Sequence, residues 1–433
     1  MTKAVVLAAG RGTRLEPLTA KMPKHLLPVA GAPLIEHTLR SLKQGGVDEV
    51  LMVVHYMKES IQSFLGDGSK IGLKITYADQ GGIFGTGHAL CMAERFVRSA
   101  GLGVKEPFLL VYGDLAVHPD VPGRLISSYK PGTSGAILGV DMADSSEYGA
   151  MEISSGELVS IVEKQQGKGP GTINGGVYVL SPEIFDFAKR TPKSERGEFE
   201  LTTSINLAVN AGLSFSVQSV GSGKWVDVGR PWNLLDANKM LMDANIKEGR
   251  LEGKTGPGSE HMILGKVIVE SGGELLPGAY VEGPAWISSE CKVGPNCYIR
   301  PYTYLCRGAK VGNACEVKGS ILMERVHVGH LSYVGDSIIG TDSNLGAGTI
   351  TANLRFDDMP VKVKVGDRVM GSGRRKLGAF LGEGVKTGIN VSIFPGVKVG
   401  AGSWIAPHVQ LCRDVPPDTL VTTKVELEMR QRR

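Results

Sequence analysis

The sequence lacks the long apolar runs, the strong net charge and the regularly spaced cysteines that mark several large classes of protein. No apolar run approaches the length of a membrane span, and the apolar stretch at the N-terminus is shorter than a signal peptide requires. The formal net charge is only +4 over 433 residues, which argues against a protein that wraps nucleic acid. Six cysteines without a disulfide-framework spacing are typical of reduced thiols. These features predict a soluble, cytoplasmic protein with no nucleic-acid or membrane partner, and its length predicts two or more domains.

The first half of the chain alternates short apolar runs with amphipathic stretches. We predict strands at 3–9, 50–55 and 108–112, and helices at 33–44 and 86–97. This alternation predicts an α/β domain with a mostly parallel sheet that helices cover on both faces. In such sheets the functional residues gather at the carboxyl ends of the strands.

The second half follows a different pattern, in which an aliphatic residue returns at every sixth position. Small residues stand four positions after most of these aliphatic residues. The aliphatic positions are Val269, Leu275, Val281, Ile287, Val293, Ile299, Leu305, Val311 and Val317, and after a shift of phase the pattern resumes at Val328. A six-residue period predicts a triangular, left-handed parallel β-helix, in which each short strand points one aliphatic residue inward. Cys291, Cys297 and Cys315 occupy the small positions, so they are corner residues rather than metal ligands.

A helix is predicted between the two halves, at 231–250, and the glycine-rich "EGKTGPGSE" that follows is the predicted joint. We therefore divide the chain into a first domain at 1–230, a connecting helix and linker at 231–262, a β-helix domain at 263–415 and a C-terminal tail at 416–433.

The stretch "LAAGRGTRLEPLTAKMPKHLLP", residues 7–28, places glycines and cations directly behind the first predicted strand. Glycine lets backbone N–H groups approach phosphate oxygens, and Arg11, Arg14, Lys21 and Lys24 can offset the phosphate charge. The spacing fits neither the Walker motif nor the dinucleotide fingerprint. The loop is therefore a candidate phosphate site, and a surface turn with incidental charge is the alternative.

Residues 7–35, "LAAGRGTRLEPLTAKMPKHLLPVAGAPLI", resemble the signature of sugar-1-phosphate nucleotidylyltransferases. Further stretches agree in order and spacing, namely "QGGIFGTGHAL", "LLVYGD", "SIVEK", "INGGVYVL" and "WVDVG". The resemblance implies a Rossmann-like nucleotidyltransferase fold, with Arg14 on the leaving pyrophosphate and Lys24 on the α-phosphate and the sugar phosphate. It also implies nucleotide contacts from Leu7, Ala8, Ala9, Gly10, Gln80, Gly85, Thr86 and Asp114, sugar contacts from Gly149, Glu163, Lys164 and Asn174, and a Mg²⁺ ion held by Asp114 and Asp227.

The chemistry of nucleotidyl transfer is consistent with these residue types. Attack of a sugar phosphate on an α-phosphorus brings two anions together, so positioning and charge neutralisation must lower most of the barrier. No general base is needed, because a phosphomonoester is already ionised. One position departs from the family: Thr203 stands where related sequences often carry an acid, which leaves open an effect on sugar selection or on domain contacts.

Residues 329–354, "GHLSYVGDSIIGTDSNLGAGTITANL", resemble the acetyltransferase half of the bifunctional glucosamine-1-phosphate acetyltransferase/N-acetylglucosamine-1-phosphate uridylyltransferases. A sugar amine is largely protonated near neutrality, so its attack on a thioester needs a base such as a histidine. The resemblance implies that His330 is this base. It further implies sugar-phosphate contacts from Arg300, Lys318, Tyr333 and Asn344 and acetyl-CoA contacts from Ala347 and Asn353.

The segment 351–379 interrupts the six-residue pattern with a basic, glycine-punctuated stretch. It is either a loop that meets the phosphates of coenzyme A or a solvated excursion from the coil. After Asn353 the sequence reads Leu-Arg-Phe where the bacterial pattern has Tyr-Asp-Gly, which resembles the archaeal branch and puts strict glucosamine specificity in doubt.

Together, these resemblances predict a bifunctional enzyme of UDP-N-acetylglucosamine synthesis. Its co-substrates would be acetyl-CoA, sugar 1-phosphates and UTP, with dTTP as the alternative nucleotide, and the β-helix would assemble as a homotrimer or a higher multiple. Two alternatives remain. One is a glucose- or mannose-1-phosphate nucleotidylyltransferase with a structural β-helix, and the other is a non-enzymatic regulatory or assembly subunit.

Overall fold

The computed structural model describes residues 3–98, 106–130, 132–163, 169–256 and 262–431, and the chain forms two compact units. The first unit comprises Met1–Arg11, Met22–Leu27 and Ala32–Val228. The second comprises Gly12–Lys21, Pro28–Gly31 and Gly229–Arg433. In the part of the chain that the structure describes, no helix has both the length and the apolar character of a membrane span.

The first 230 residues alternate strands and helices, as the sequence predicts. The strands are β1 Lys3–Ala8, β2 Pro28–Val29, β3 Ala32–Pro33, β4 Glu49–Val54, β5 Lys74–Asp79, β6 Phe108–Tyr112, β7 Leu115–Val117, β8 Gly135–Met142, β9 Ala150–Ser154, β10 Glu157–Val162, β11 Gly171–Leu180, β12 Phe215–Gly221 and β13 Trp225–Asp227. The helices are α1 Leu34–Gln44, α2 Lys58–Leu65, α3 Thr86–Cys91, α4 Glu94–Val97, α5 Val121–Ser128, α6 Ile184–Ala188 and α7 Leu201–Asn210, and α8 Pro231–Asn245 follows.

Nine of these strands form one sheet in the order β5-β4-β1-β6-β11-β8-β12-β10-β9. The strands β5, β4, β1 and β6 are parallel, and β11 runs antiparallel to both β6 and β8. Strand β1 lies in the middle of the parallel part, and every residue of it is buried. A strand covered on both faces must be apolar throughout, which explains the run "AVVLA". The Rossmann-like α/β fold is confirmed, although the sheet is mixed beyond β6.

The second unit contains the predicted parallel β-helix, which has three parallel sheets that we call its faces. The first face consists of Arg250–Leu251, Val267–Val269, Ala285–Ile287, Thr303–Leu305, Ile321–Leu322, Ile338–Ile339, Phe380–Leu381 and Lys398–Val399. The second face consists of Lys254–Thr255, Glu274–Leu275, Lys292–Val293, Lys310–Val311, His327–Val328, Asn344–Leu345, Lys386–Thr387, Trp404–Ile405 and Leu420–Val421. The third face consists of Ile263–Leu264, Tyr280–Glu282, Tyr298–Ile299, Glu316–Lys318, Tyr333–Gly335, Ile350–Thr351, Ser392–Ile393 and Gln410–Leu411.

The register explains both the six-residue period and its shift. Val267 pairs with Ala285 and Ala285 with Thr303, so a coil contains 18 residues, or three repeats of six. Tyr304 pairs with Ile321 and Ile321 with Ile338, so the next two coils contain 17 residues and move the phase by one. The aliphatic residues predicted to point inward, from Val269 to Val317, are all fully buried.

The structure corrects three boundaries. The helix predicted at 86–97 is two helices, α3 and α4, because the chain turns at Met92 and Ala93. The connecting helix α8 ends at Asn245 rather than 250, and the first coil of the β-helix already begins at Arg250–Leu251, before Val269. The interruption at 351–379 contains an antiparallel hairpin, Lys362–Val365 with Arg368–Gly371.

Candidate active sites

The two aspartates predicted to hold Mg²⁺ lie at the ends of strands of the first unit. Asp114 follows β6, one of the parallel strands, and Asp227 ends β13. Strand β13 pairs with β7 so that Asp227 lies opposite Leu115, and the Val228 N–H donates to the Asp114 carbonyl oxygen at 3.1 Å. The structure therefore brings together the backbones of two aspartates that lie far apart in the sequence.

Lys24 forms an ion pair with Asp114, and the two side chains are only 14 % and 22 % exposed. Burial acts to raise the pKa of the Asp114 carboxyl, but the charge of Lys24 and its hydrogen bond outweigh burial and hold that pKa below its ordinary value. Gly10 permits the approach of the lysine, because a Cβ at Gly10 would lie 3.1 Å from the Lys24 ammonium nitrogen. The predicted residues Gly10, Lys24 and Asp114 thus belong to one cluster, and strand β1, which contains Leu7 and Ala8, leads directly into it.

His25 is part of the same cluster, although its role was not predicted. Its ring is fully buried, and burial, reinforced by the charge of Lys24, lowers its pKa to about 3. The Nδ1 atom has no hydrogen-bond partner among the residues that the structure describes. His25 is therefore neutral at physiological pH. Its position directly after Lys24, in the 3₁₀ turn Lys24–Leu26, is the only signal that the sequence offers.

The residues predicted for the base and the ribose also lie together. The Gln80 side-chain amide donates to the Gly85 carbonyl oxygen at 2.9 Å, and the Thr86 hydroxyl accepts the Leu201 N–H at 3.0 Å. Gly85 has φ +96°, and a Cβ there would lie 2.4 Å from the Phe199 carbonyl oxygen. Only glycine fits this position without a shift of the neighbouring backbone.

Three of the four predicted sugar-binding residues are neighbours. A Cβ at Gly149 would lie 3.2 Å from Glu163 Oε1, and the Asn174 N–H donates to the Gly149 carbonyl oxygen at 2.8 Å. Thr202, which was not predicted, donates to Glu163 Oε1 at 3.0 Å and so orients that carboxylate. The fourth predicted residue, Lys164, lies outside the described residues.

Arg14 lies in the 3₁₀ turn Thr13–Leu15, after Gly12, which has φ +75°. This turn belongs to the segment Gly12–Lys21 of the second unit. A second arginine of the loop, Arg11, belongs to the first unit and lies over the Tyr56 ring, with 5.6 Å between the guanidinium carbon and the ring centroid.

In the β-helix, residues at the end of the third-face strands stack from coil to coil. The Arg300 guanidinium donates to Glu316 at 2.8 Å, and the Lys318 ammonium donates to both oxygens of Asp336 at 2.8 and 3.1 Å. The Asn353 amide donates to Asp336 at 2.6 Å and to the Tyr333 hydroxyl at 3.0 Å. Lys318, Tyr333 and Asn353 are thus joined in one network, and Asp336 is the residue of it that was not predicted.

The other predicted residues of the second site lie toward the second face. His330 is exposed in the turn between the second and third faces, and in the described part of the chain its ring has no hydrogen bond or ion pair with protein. The coil above is in contact with it, because the Gly348 N–H, next to Ala347, donates to the His330 carbonyl oxygen at 3.1 Å. Asn344 lines a cavity of about 620 Å³ on the second face, together with Lys292, Lys310 and His327.

Comparison with known proteins gives one family match for each half of the chain and bifunctional relatives for the whole of it. The nucleotidyl transferase family matches residues 3–244, and the GMPPB C-terminal domain family matches residues 281–388. The chain is 38 % identical over 432 residues to the bifunctional protein GlmU of Methanocaldococcus jannaschii, and the match covers 99 % of both chains. It is 40 % identical over 416 residues to a bifunctional sugar-1-phosphate nucleotidylyltransferase/acetyltransferase of Sulfurisphaera tokodaii, covering 95 % of this chain and 98 % of that one. The chain belongs to this bifunctional family.

A solved structure of a nucleotidylyltransferase is similar to part of this chain. A Bacillus anthracis structure described as a glucose-1-phosphate thymidylyltransferase is 27 % identical to it, with a TM-score of 0.50. The match covers 58 % of this chain and 98 % of the other. The archaeal type expected from the sequence after Asn353 agrees with the archaeal origin of the two relatives at 38 % and 40 % identity.

Proposed function

We propose that this protein makes UDP-N-acetylglucosamine from glucosamine 1-phosphate in two steps at two sites. The β-helix transfers the acetyl group of acetyl-CoA to the sugar amine, and the nucleotidyltransferase half of the chain then transfers a uridylyl group from UTP to the product. One observation carries the proposal: a single chain contains two clusters of residues of the required chemistry. The first cluster is Lys24 with Asp114, and the second is Lys318, Tyr333 and Asn353. The chain also aligns with bifunctional relatives over nearly its full length.

In uridylyl transfer, a phosphate oxygen of the sugar 1-phosphate attacks the α-phosphorus of UTP. The new P–O bond replaces the bond to the β-phosphate, and pyrophosphate leaves without any proton having to move. Lys24 offsets negative charge on the α-phosphate and on the incoming phosphate, and Arg14 does the same for the leaving pyrophosphate. Gln80, Gly85 and Thr86 hold the nucleoside, and Glu163 and Asn174 hold the sugar.

The residues around Asp114 fit a magnesium ion. Asp227 ends β13, and Asp114 lies directly before its partner strand β7. The two aspartates supply hard oxygen ligands, and Mg²⁺ usually takes one or two carboxylates and completes its shell with water and substrate phosphates. Consistent with so small a ligand set, the described residues contain no group of three or more His, Cys, Asp and Glu side chains that could hold a metal. When bound to Asp114 and Asp227, the ion would offset the charge of the triphosphate.

In acetyl transfer, the neutral amine of the sugar attacks the thioester carbon, and the C–S bond to coenzyme A breaks. The amine proton passes to the His330 imidazole, and the thiolate of coenzyme A takes up a proton as it leaves. The exposure of His330 leaves its ring open to a substrate. Arg300 and Lys318 carry the positive charge for the sugar phosphate, and Tyr333 and Asn344 orient the sugar.

We propose that the β-helix forms a trimer. The acetyl-transfer residues of one chain fall into a group at the end of the third-face strands and a group toward the second face, so a neighbouring copy can complete either group. We propose a first domain at 1–230 that is joined through α8 to the β-helix domain, and the coil strands from Arg250–Leu251 to Leu420–Val421 belong to the β-helix. UTP and dTTP are both candidate nucleotides.

One product assay tests the proposed function. The purified protein receives Mg²⁺, acetyl-CoA and one of three sugars, namely glucosamine, galactosamine or glucose 1-phosphate, and then UTP or dTTP. We expect release of free coenzyme A first and of pyrophosphate second, with a UDP-N-acetylamino sugar as the product. Pyrophosphate release from glucose 1-phosphate without any acetylation would instead identify the single-activity alternative, and no turnover would identify the non-enzymatic one.

A further inference from the structure

Asp336 has no role in the mechanism above, yet it makes the densest polar contacts in the second site. It is only 6 % exposed. Its two oxygens accept the Lys318 ammonium at 2.8 and 3.1 Å, and one of them also accepts the Asn353 amide at 2.6 Å. A buried carboxylate is stable only when charge and hydrogen bonds compensate it, and these two partners do so.

The backbone fixes Asp336 in this position. Its N–H donates to the Lys318 carbonyl oxygen of the preceding coil at 2.8 Å, and its carbonyl oxygen accepts the Gly378 N–H at 2.9 Å. Its φ of +48° is one that aspartate and asparagine tolerate better than most side chains. The glycine below it, Gly319, makes room, because a Cβ there would lie 3.0 Å from the Asp336 carboxylate.

These contacts decide which way the Asn353 amide is turned. An ionised carboxylate only accepts hydrogen bonds, so the amide must present its NH₂ group to Asp336. The second N–H of that group is donated to the Tyr333 hydroxyl at 3.0 Å. Both donors of Asn353 are therefore used within the protein, and only its carbonyl oxygen is left for a ligand.

We infer that Asp336 is a positioning residue of the acetyl-transfer site, which holds Asn353 so that its side chain acts toward the ligand as a hydrogen-bond acceptor and not as a donor. The inference rests on the proposed function. The ligand group that meets Asn353 must then be a hydrogen-bond donor. The sugar 1-phosphate offers its amine and hydroxyls, and coenzyme A offers the amide N–H and hydroxyl groups of its pantetheine arm.

The substitution D336N tests this, because asparagine keeps the size of the side chain and tolerates the same φ. The amide that replaces the carboxylate offers Asn353 either an acceptor or a competing donor, so the side chain of Asn353 is no longer held in one orientation. We expect dissociation constants, measured by calorimetry, to rise about tenfold for one ligand, either coenzyme A or glucosamine 1-phosphate, and to change less than twofold for the other. The weakened ligand identifies which of the two supplies the hydrogen-bond donor.

A matched control is D418N, since Asp418 is also an aspartate of a β-helix turn, with φ +50°, but it is exposed and has no hydrogen bond to the network. We expect D418N to bind both ligands like the wild type. Unchanged binding of both ligands by D336N would overturn the inference. Weaker binding of both, with a lower melting temperature, would also overturn it, because it would show a structural role only.

A double substitution gives a second test. N353D alone keeps the acceptor but places two carboxylates side by side, and we expect it to weaken the affected ligand at least tenfold. D336N with N353D restores one amide and one carboxylate, and we expect affinity within about threefold of the wild type. If the double variant weakens binding by the product of the two single fold-changes in dissociation constant, the inference is wrong. A wild type that binds both ligands but transfers no acetyl group would refute the proposed function and leave the binding result intact.

Discussion

The ion pair between Lys24 and Asp114 makes a prediction with two independent readouts, obtained from the variant K24M. Methionine keeps most of the length of the lysine side chain but removes its charge. Removing one partner of a buried pair leaves the other charge uncompensated, which costs about 3 to 5 kcal/mol when burial is complete. Because the two side chains keep 14 % and 22 % of their exposure, we expect a loss of about 2 kcal/mol in the free energy of unfolding of the first unit at pH 7.

The pH dependence of this loss has a definite sign. The pKa of Asp114 is lowered in the folded protein, so the pair stabilises the fold above the ordinary pKa of an aspartate and loses this effect as the pH falls below about 4. In K24M the same carboxyl is buried without its partner and gains a proton more readily. The difference in unfolding free energy between the wild type and K24M should therefore shrink as the pH falls from 7 to 4.

Unfolding in urea is monitored through hydrogen exchange of the β1 and β6 amides. Uridylyl transfer and acetyl transfer are measured separately at pH 7. We expect K24M to lose uridylyl transfer by about a hundredfold or more, because charge stabilisation of the transition state is lost, and to keep acetyl transfer within twofold. The control is K43M, which breaks the exposed pair with Asp48 (2.8 Å) and should cost less than about 1 kcal/mol. A K24M protein with normal uridylyl transfer, or with a stability deficit that grows in acid, would refute this reasoning.

Three further substitutions separate the two sites and test the buried histidine. H330A should reduce acetyl transfer by about 10²- to 10⁴-fold while uridylyl transfer stays nearly intact, as measured by separate release of coenzyme A and pyrophosphate. D227A should do the reverse, with at least about a hundredfold loss of uridylyl transfer. H25L should reduce the loss of folding stability in acid. The buried His25 ring has a pKa of about 3, so the unfolded chain gains a proton first and the wild type loses stability as the pH falls from about 6.5 toward 3. A leucine variant lacks this contribution to the pH dependence of stability. A loss of both activities in folded H330A, or an unchanged acid slope in H25L, would contradict these expectations.

The fold was predictable where one period dominates the sequence. The inward residues of the β-helix, such as Leu275 and Val293, recur because each coil must fill the same interior, and this requirement is visible without a structure. The break between α3 and α4 was not visible, because Met92 and Ala93 are compatible with a continuous helix and tertiary contacts decide the turn.

The site was predictable only in part, for a similar reason. Resemblance identified Lys318 and Asn353, but it does not reveal what holds them in place. Asp336 stands one position beyond Gly335, the residue that pairs with Lys318 in the next coil, so the coil length alone does not single it out. His25 carries no such signal, since only the burial around it decides its charge.

Complementation between two inactive variants tests most directly whether one chain carries two independent sites. H330A and D227A are purified separately, and each receives glucosamine 1-phosphate, acetyl-CoA, UTP and Mg²⁺. We predict that neither variant alone makes UDP-N-acetylglucosamine. An equal mixture should make it after a lag, because N-acetylglucosamine 1-phosphate leaves one site and diffuses to the other. Formation of UDP-N-acetylglucosamine by either variant alone, or no formation by the mixture of two folded proteins, would contradict the account.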